Sequence, residues 1–215
     1  LGPVTGDCVS TGATGAHQQF TYGTIYAPDN TNAYAVSTAW TSIYTTAGGP
    51  TTFGWPLNES YLITSRVSPT YTAARQDFTK GRIYSSVKAG VGTRVLRTTT
   101  PVGAFWIARG AENSTLGLPT STESSGGRSS TKQTYERGAI YSSTSTGTHS
   151  VETSIATYYA SLGSENSALG LPTAQPVTLT TGTRQDFQNG RIFWNSTTGT
   201  TTHIIKRVIT SWKVQ

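Results

Sequence analysis

Carboxylates at matching places in the sequence are the first candidates for chemistry. A corner of the form Leu-Gly-x-Pro, or a close variant, occurs four times and starts at Leu1, Phe53, Leu116 and Leu169. Six or seven residues beyond each start stands a carboxyl or amide side chain: Asp7, Glu59, Glu123 and Gln175. Glycoside hydrolysis commonly uses two carboxyl groups, one protonated and one ionised. We therefore predict Asp7, Glu59 and Glu123 as catalytic acids, with anchoring of their own loops as the alternative.

A second set of residues could bind a polysaccharide. Tyrosine offers an apolar face with a hydroxyl, which suits a sugar ring, and arginine binds carboxylates in bidentate fashion. The predicted sugar contacts are Tyr26, Tyr84 and Tyr141. The predicted contacts to acidic groups of the ligand are Arg75, Arg82, Arg184 and Arg191. For these arginines, a solvated hairpin edge is the alternative.

Most of these side chains belong to a motif that occurs four times. The copies are "HQQFTYGTIYAP", "RQDFTKGRIYSS", "KQTYERGAIYSS" and "RQDFQNGRIFWN", which begin at His17, Arg75, Lys132 and Arg184. In each copy a basic residue precedes Gln, and an aromatic residue, a Gly and an Ile-aromatic pair follow. The alternation of polar and apolar residues predicts two strands joined by a tight turn. We predict that the Ile and the first aromatic residue are core residues, and that the Gln bonds a backbone group in preference to a sugar hydroxyl.

The residues around the motif extend it into a larger unit. In the last copy, Gly190 is predicted to supply the turn conformation, and "THII" reads as a third strand. In the third copy "VETSIATYYASLG" predicts a helix that ends at Gly163. One face of that helix carries Val151, Ile155, Tyr158, Tyr159 and Leu162.

The predicted fold is an α+β, β-rich repeat protein in which four strand-strand-strand-helix units form a single domain, 1–215. The approximate repeat boundaries are 1–52, 53–115, 116–168 and 169–215. The final segment "IIKRVITSWKVQ" is predicted to start a helix, with Val208–Gln215 packing beside Leu1 and closing a propeller-like ring. An open solenoid is the alternative.

Composition narrows the function classes. The chain has 215 residues, only 12% of them charged, and a formal net charge of +6, which fits solubility and an anionic polymer partner about equally well. No nucleic-acid motif is present and no run of 18 apolar residues occurs, so we predict neither nucleic-acid binding nor membrane insertion. Three scattered His residues do not suit zinc, and no cofactor is predicted. Cys8 is the only cysteine and is predicted to be a buried, inert thiol.

Further features indicate secretion. The sequence starts at Leu1 and contains no Met, which favours a processed, secreted monomer. Three Asn-x-Ser/Thr sequons, whose glycosylation the sequence leaves open, favour the same location: Asn58, Asn113 and Asn195.

The four corners and hairpins resemble the LGFP-repeat family. The most similar pieces are "LGLPTSTE" from Leu116 and "TGTHSV" from Thr146, while the Trp that follows Ile-Tyr in the family remains only as Trp194. The resemblance implies a role at bacterial cell envelopes, with recognition of peptidoglycan or a related wall glycan. We predict a wall-binding protein that also hydrolyses the glycan, as a muramidase-like enzyme does. A non-catalytic wall-binding module is the alternative.

Overall fold

The computed structural model describes residues 1–11, 15–67 and 69–206. The chain divides into two compact units. The first comprises Leu1–Glu123 and Gln133–Glu136, and the second comprises Ser124–Lys132 and the residues from Arg137 onward.

Four sheets, each of four strands in chain order, make up most of the fold. The first sheet contains β1 (Val9–Thr11), β2 (Gly15–Phe20), β3 (Gly23–Ala27) and β4 (Tyr34–Ser37). The second contains β5 (Tyr61–Ser65), β6 (Tyr71–Phe78), β7 (Gly81–Ser86) and β8 (Gly92–Arg97). The third contains β9 (Ser124–Gly126), β10 (Ser130–Tyr135), β11 (Gly138–Ser143) and β12 (Gly147–Glu152). The fourth contains β13 (Val177–Leu179), β14 (Gly182–Phe187), β15 (Gly190–Asn195) and β16 (Thr201–Ile205).

The repeated hairpins and the third strand of each predicted unit are confirmed, but every sheet has one more strand than we predicted. The extra strand precedes the hairpin and pairs with its first strand, as Val9 does with His17. Three of these four strands have only three residues, of composition VST, SSG and VTL, and they lie largely exposed. Such short edge strands carry no alternating apolar pattern that the sequence could reveal.

Helices follow the last strand of the first three sheets. They are α1 (Thr38–Thr46), the short α2 (Gly49–Thr52), α3 (Pro101–Ala108) and α4 (Thr153–Ser161). The predicted helix from Val151 begins two residues later, because Val151 and Glu152 still pair with β11. Ile155 and Tyr159 are buried as predicted, and Gly163 ends the segment at φ 101°, the left-handed conformation expected of a C-terminal glycine.

The glycines that open β7 and β15 are needed for a different reason from the predicted one. Gly190 does not adopt a left-handed φ; a Cβ there would lie 2.1 Å from the Ile204 carbonyl oxygen and 2.8 Å from Leu169 Cδ2. A Cβ on Gly81 would likewise lie 2.1 Å from the Phe53 ring. Leu169 and Phe53 each open a Leu-Gly-x-Pro-like corner, so the glycine lets the corner pack directly on the strand.

The Ile and the first aromatic residue are buried as predicted in the second, third and fourth hairpins, whereas Phe20 and Ile25 of the first hairpin are half-buried. In the first unit, Tyr44, Phe53, Phe78 and Ile83 belong to one buried cluster. In the second, a corresponding cluster contains Ile155, Tyr159, Leu169, Phe187 and Ile192. Corner, hairpin and helix therefore supply one apolar face each.

Three further predictions concern Cys8, the C-terminal segment and closure of the ring. Cys8 is exposed, so the prediction of a buried thiol is wrong; it stands in a polar loop before β1 that contributes nothing to the core. Ile204 and Ile205 end β16, whereas Val208–Gln215 lies outside the described residues. No sheet in the described ranges closes on itself, and ring closure stays a prediction. Within those ranges no helix has the length and apolar character to cross a membrane.

Candidate functional site

In the second, third and fourth hairpins the repeated glutamine binds backbone, as predicted, and not an exposed ligand surface. Gln76, Gln133 and Gln185 are fully buried. Each Nε2 donates to two carbonyl oxygens, one on the last strand of the preceding sheet and one just after a corner. The acceptors lie at 2.6–3.1 Å and are Ala35 and Asn58 for the second sheet, Val95 and Ser121 for the third, and Ser150 and Ala174 for the fourth.

A network of charged side chains covers the hairpin of the second sheet. Arg75 Nε and Nη2 donate to the two oxygens of Asp77 at 2.8 and 2.9 Å, and Arg75 Nη1 donates to Glu112 Oε1 at 2.6 Å. Tyr84 donates to Glu112 Oε2 at 3.1 Å. Arg82 Nε lies 3.1 Å from Asp77 Oδ1. One guanidinium thus joins two carboxylates, and each carboxylate has further donors.

The electrostatics of this network suit structure better than acid catalysis. Burial disfavours the charge of Asp77, but the bonds from Arg75 and Asn58 and the charges of Arg75 and Arg82 outweigh it and lower the pKa of the carboxyl. Burial raises the pKa of Tyr84 far above its usual value, so its hydroxyl stays a donor. A general acid must hold its proton at working pH, and a carboxyl bound by arginine does not.

The third sheet repeats the central contact of this network. Lys132 stands at the position of Arg75, and its Nζ lies 2.6 Å from Glu165 Oε1, which also accepts the Gly127 amide at 3.2 Å. Glu165 is 1% exposed. The bonds from Lys132 and backbone amides lower its pKa although burial opposes the charge.

Glu112 and Glu165 are residues that the sequence analysis missed. Each lies in a 3₁₀ turn, Ala111–Asn113 or Ser164–Asn166, that follows a glycine with φ near 100°. The signal was available, because Glu-Asn-Ser stands just before both "LGLP" corners, in "AENSTLGLP" and "SENSALGLP". The sequence analysis selected the acids that follow each corner and therefore missed the acid that precedes it.

After its helix α1, the first sheet has two residues with the φ angles of the corresponding residues in the second and third sheets, but the side chains around them differ. Gly48 adopts φ 101° and Gly49 φ 49°, matching the glycine and the following residue in the other two sheets, and Pro50 stands where they have glutamate. His17 occupies the position of Arg75 and pairs across the hairpin with Tyr26. A cleft of about 400 Å³ opens at this place. Its lining is Thr11, His17, Gln19, Thr24, Tyr26, Thr41, Thr45, Gly48, Gly49 and Pro50.

The fourth sheet carries a smaller groove. Arg184 and Arg191 are both paired with Asp186, at 3.5 and 3.0 Å. Beside them lies a groove of about 260 Å³ with the half-buried rings of Phe193 and Trp194. The rest of its lining is Leu179, Thr181, Gly182, Asn195, Thr200 and Thr202.

The predicted catalytic acids do not share a bonded cluster. Asp7 is exposed, Glu59 accepts the Ala35 amide at 2.9 Å, and Glu123 accepts the Thr100 hydroxyl at 2.6 Å. Glu59 thus bonds the backbone of β4 and Glu123 bonds the residue that caps α3, and the catalytic role of the three acids stays a prediction.

The predicted sugar-binding tyrosines are buried: Tyr26 and Tyr141 are each 6% exposed and Tyr84 is 0% exposed. A fully buried ring offers no face to a sugar, so Tyr84 serves its own network. Tyr26 lines the cleft of the first sheet.

Comparison with known families bears on what these sheets are. The family model described as "LGFP repeat" matches residues 116–167 and 169–213, which contain the third and fourth sheets. A search of curated proteins gave no match. The first and second sheets share the strand order and the corners of the matched ones, which agrees with a count of four repeats. Residues 116–167 and 169–213 are therefore LGFP repeats.

Proposed function

We propose that the protein is an extracellular, cell-wall-associated repeat protein that binds bacterial wall glycan through the groove of its fourth sheet. The observation that carries the proposal is a groove lined by Phe193, Trp194 and three threonines inside a matched LGFP repeat. Aromatic rings stack on the apolar faces of sugars while hydroxyls bond their rims. The net charge of +6 adds attraction to an anionic wall.

Glycan hydrolysis is the finer form of this proposal, with Asp7, Glu59 and Glu123 as its candidate carboxylates. Glu59 and Glu123 both accept hydrogen bonds, which suits a base or nucleophile; the protonated partner that hydrolysis needs has no counterpart among the bonded carboxylates described above. The arrangement therefore supports binding more directly than hydrolysis.

Co-sedimentation with purified peptidoglycan tests the proposal. We expect Trp194→Ala and Thr202→Val to weaken binding, the first by about tenfold or more through loss of ring stacking. Tyr22→Ala is the matched control, because Tyr22 is 66% exposed and lies outside the groove. Equal loss in all three variants would contradict the groove assignment.

The same samples test hydrolysis. Release of new reducing ends by the wild type, abolished in Glu59→Gln or Glu123→Gln with wall binding intact, would establish the muramidase form. Binding without reducing ends would leave a non-catalytic module.

A further inference from the structure

The cleft of the first sheet, called here the His17 cleft, occupies the place where the second and third sheets each bury a glutamate. In those sheets the glutamate carboxylate lies 2.6 Å from the basic residue that precedes the repeated Gln, Arg75 or Lys132. Glu112 is 8% and Glu165 1% exposed, so both carboxylates fill the space between hairpin and 3₁₀ turn.

In the first sheet a different residue precedes the repeated Gln, and no glutamate stands at the position of Glu112 and Glu165. His17 replaces the arginine or lysine, and Pro50 replaces the glutamate two residues after a glycine whose φ is again near 100°. The Asp77–Arg82 pair of the second sheet corresponds to the neutral Gln19–Thr24 pair. No carboxylate from the described part of the chain lines the cleft.

The remaining groups are placed to receive a carboxylate from outside. Thr11 Oγ1 lies 2.7 Å from His17 Nδ1, so a hydroxyl that donates to Nδ1 leaves Nε2–H as a donor. Tyr26 stacks on His17 with ring centroids 5.6 Å apart and corresponds to Tyr84, whose hydroxyl donates to Glu112. Threonines 24, 41 and 45 line the rest, beside the apolar ring of Pro50.

We propose that the His17 cleft binds a small carboxylate ligand whose acid group takes the place that Glu112 and Glu165 take in their own sheets. The volume of about 400 Å³ leaves room for a hydroxylated ring attached to that acid, and the threonine-rich wall matches such a ring. The carboxylate class rests on the comparison of the three sheets. The choice of an acidic wall sugar as its source rests on the proposed function.

The decisive variant fills the cleft from within. Pro50→Glu together with His17→Arg restores the residue pair found in the second sheet, and Pro50→Glu alone places a carboxylate beside His17. We expect this variant to fold with an unchanged or raised melting temperature and to lose carboxylate binding by tenfold or more. His17→Gln should weaken binding without filling the cleft.

Binding is measured by NMR chemical-shift titration of the full chain with three probes, up to millimolar concentrations. N-acetylmuramic acid carries the acid on a sugar, acetylated D-alanyl-D-alanine carries it on a peptide, and N-acetylglucosamine is the neutral sugar. Shifts at His17 and Tyr26 with either acid, absent for the neutral sugar and abolished by Pro50→Glu, support the proposal and identify the source. Equal shifts with the neutral sugar, none with either acid, or full binding by Pro50→Glu would overturn it. Wall binding that persists in Pro50→Glu but depends on Trp194 would leave the proposed function standing.

Discussion

Replacing Gln185 by methionine tests whether the repeated glutamine holds neighbouring sheets together. Gln185 is 0% exposed, and its Nε2 donates to the Ser150 oxygen at 2.6 Å and the Ala174 oxygen at 3.1 Å. Methionine matches the shape of glutamine without the donors, so two carbonyls lose a partner at about 1–3 kcal/mol each. Gln185 Oε1 is buried with no partner, and its removal offsets part of this cost. We expect a net loss of about 2–3 kcal/mol in unfolding free energy.

Thermal and urea unfolding measure this loss, which corresponds to a fall of about 4–12 °C in melting temperature. Gln19→Met is the matched control, because Gln19 is exposed on the neighbouring position of the first hairpin. If both variants unfold alike, the buried amide contributes nothing specific and the reasoning is refuted.

Two further predictions concern the packing and the buried acid. Gly81→Ala should destabilise the fold by about 1–3 kcal/mol in urea unfolding, because its Cβ would meet the Phe53 ring at 2.1 Å. Gly6→Ala is the control and should stay within about 0.5 kcal/mol of the wild type, because the nearest atom to its Cβ lies at 3.6 Å. Similar losses of stability in both variants would contradict the close-packing explanation. The lowered pKa of Glu165 contributes stability above the unfolded-state value of about 4.3, and this contribution is lost as the pH falls through the folded-state value. The melting temperature of Glu165→Gln should therefore fall less than that of the wild type between about pH 5 and 3, and parallel curves would contradict the assignment.

The sequence reveals the repeat plan because the same side chains must fill the same core in each sheet. The hairpins from Gln76, Gln133 and Gln185, the core Ile residues and the helix end at Gly163 all follow from residue type and spacing. The first strands of the first, third and fourth sheets were missed because each has only three residues, most of them exposed. The sequence analysis assigned Gly190 to a turn conformation. The structure shows that Gly190 instead allows close contact with Leu169, and only the three-dimensional packing reveals that contact.

The candidate sites are less accessible to sequence reasoning. Pro50 can be aligned with Glu112 only from the structure, in which Gly48 and Gly110 share one backbone conformation. Counting from the next corner would misalign them, because that distance differs by one residue. The search for acids after the corner found side chains that bond nearby backbone or a helix terminus. The acids before the corner, Glu112 and Glu165, are buried.

The central claim, specific binding of wall glycan by the fourth sheet, is tested most directly by a binding isotherm on purified peptidoglycan at high salt. At about 1 M salt the screening length is about 3 Å, so attraction due only to the positive net charge is removed. The account predicts that wild-type binding persists under these conditions and that Trp194→Ala abolishes it, while Tyr22→Ala leaves it unchanged. Binding that disappears with salt, or that Trp194→Ala retains in full, would contradict it.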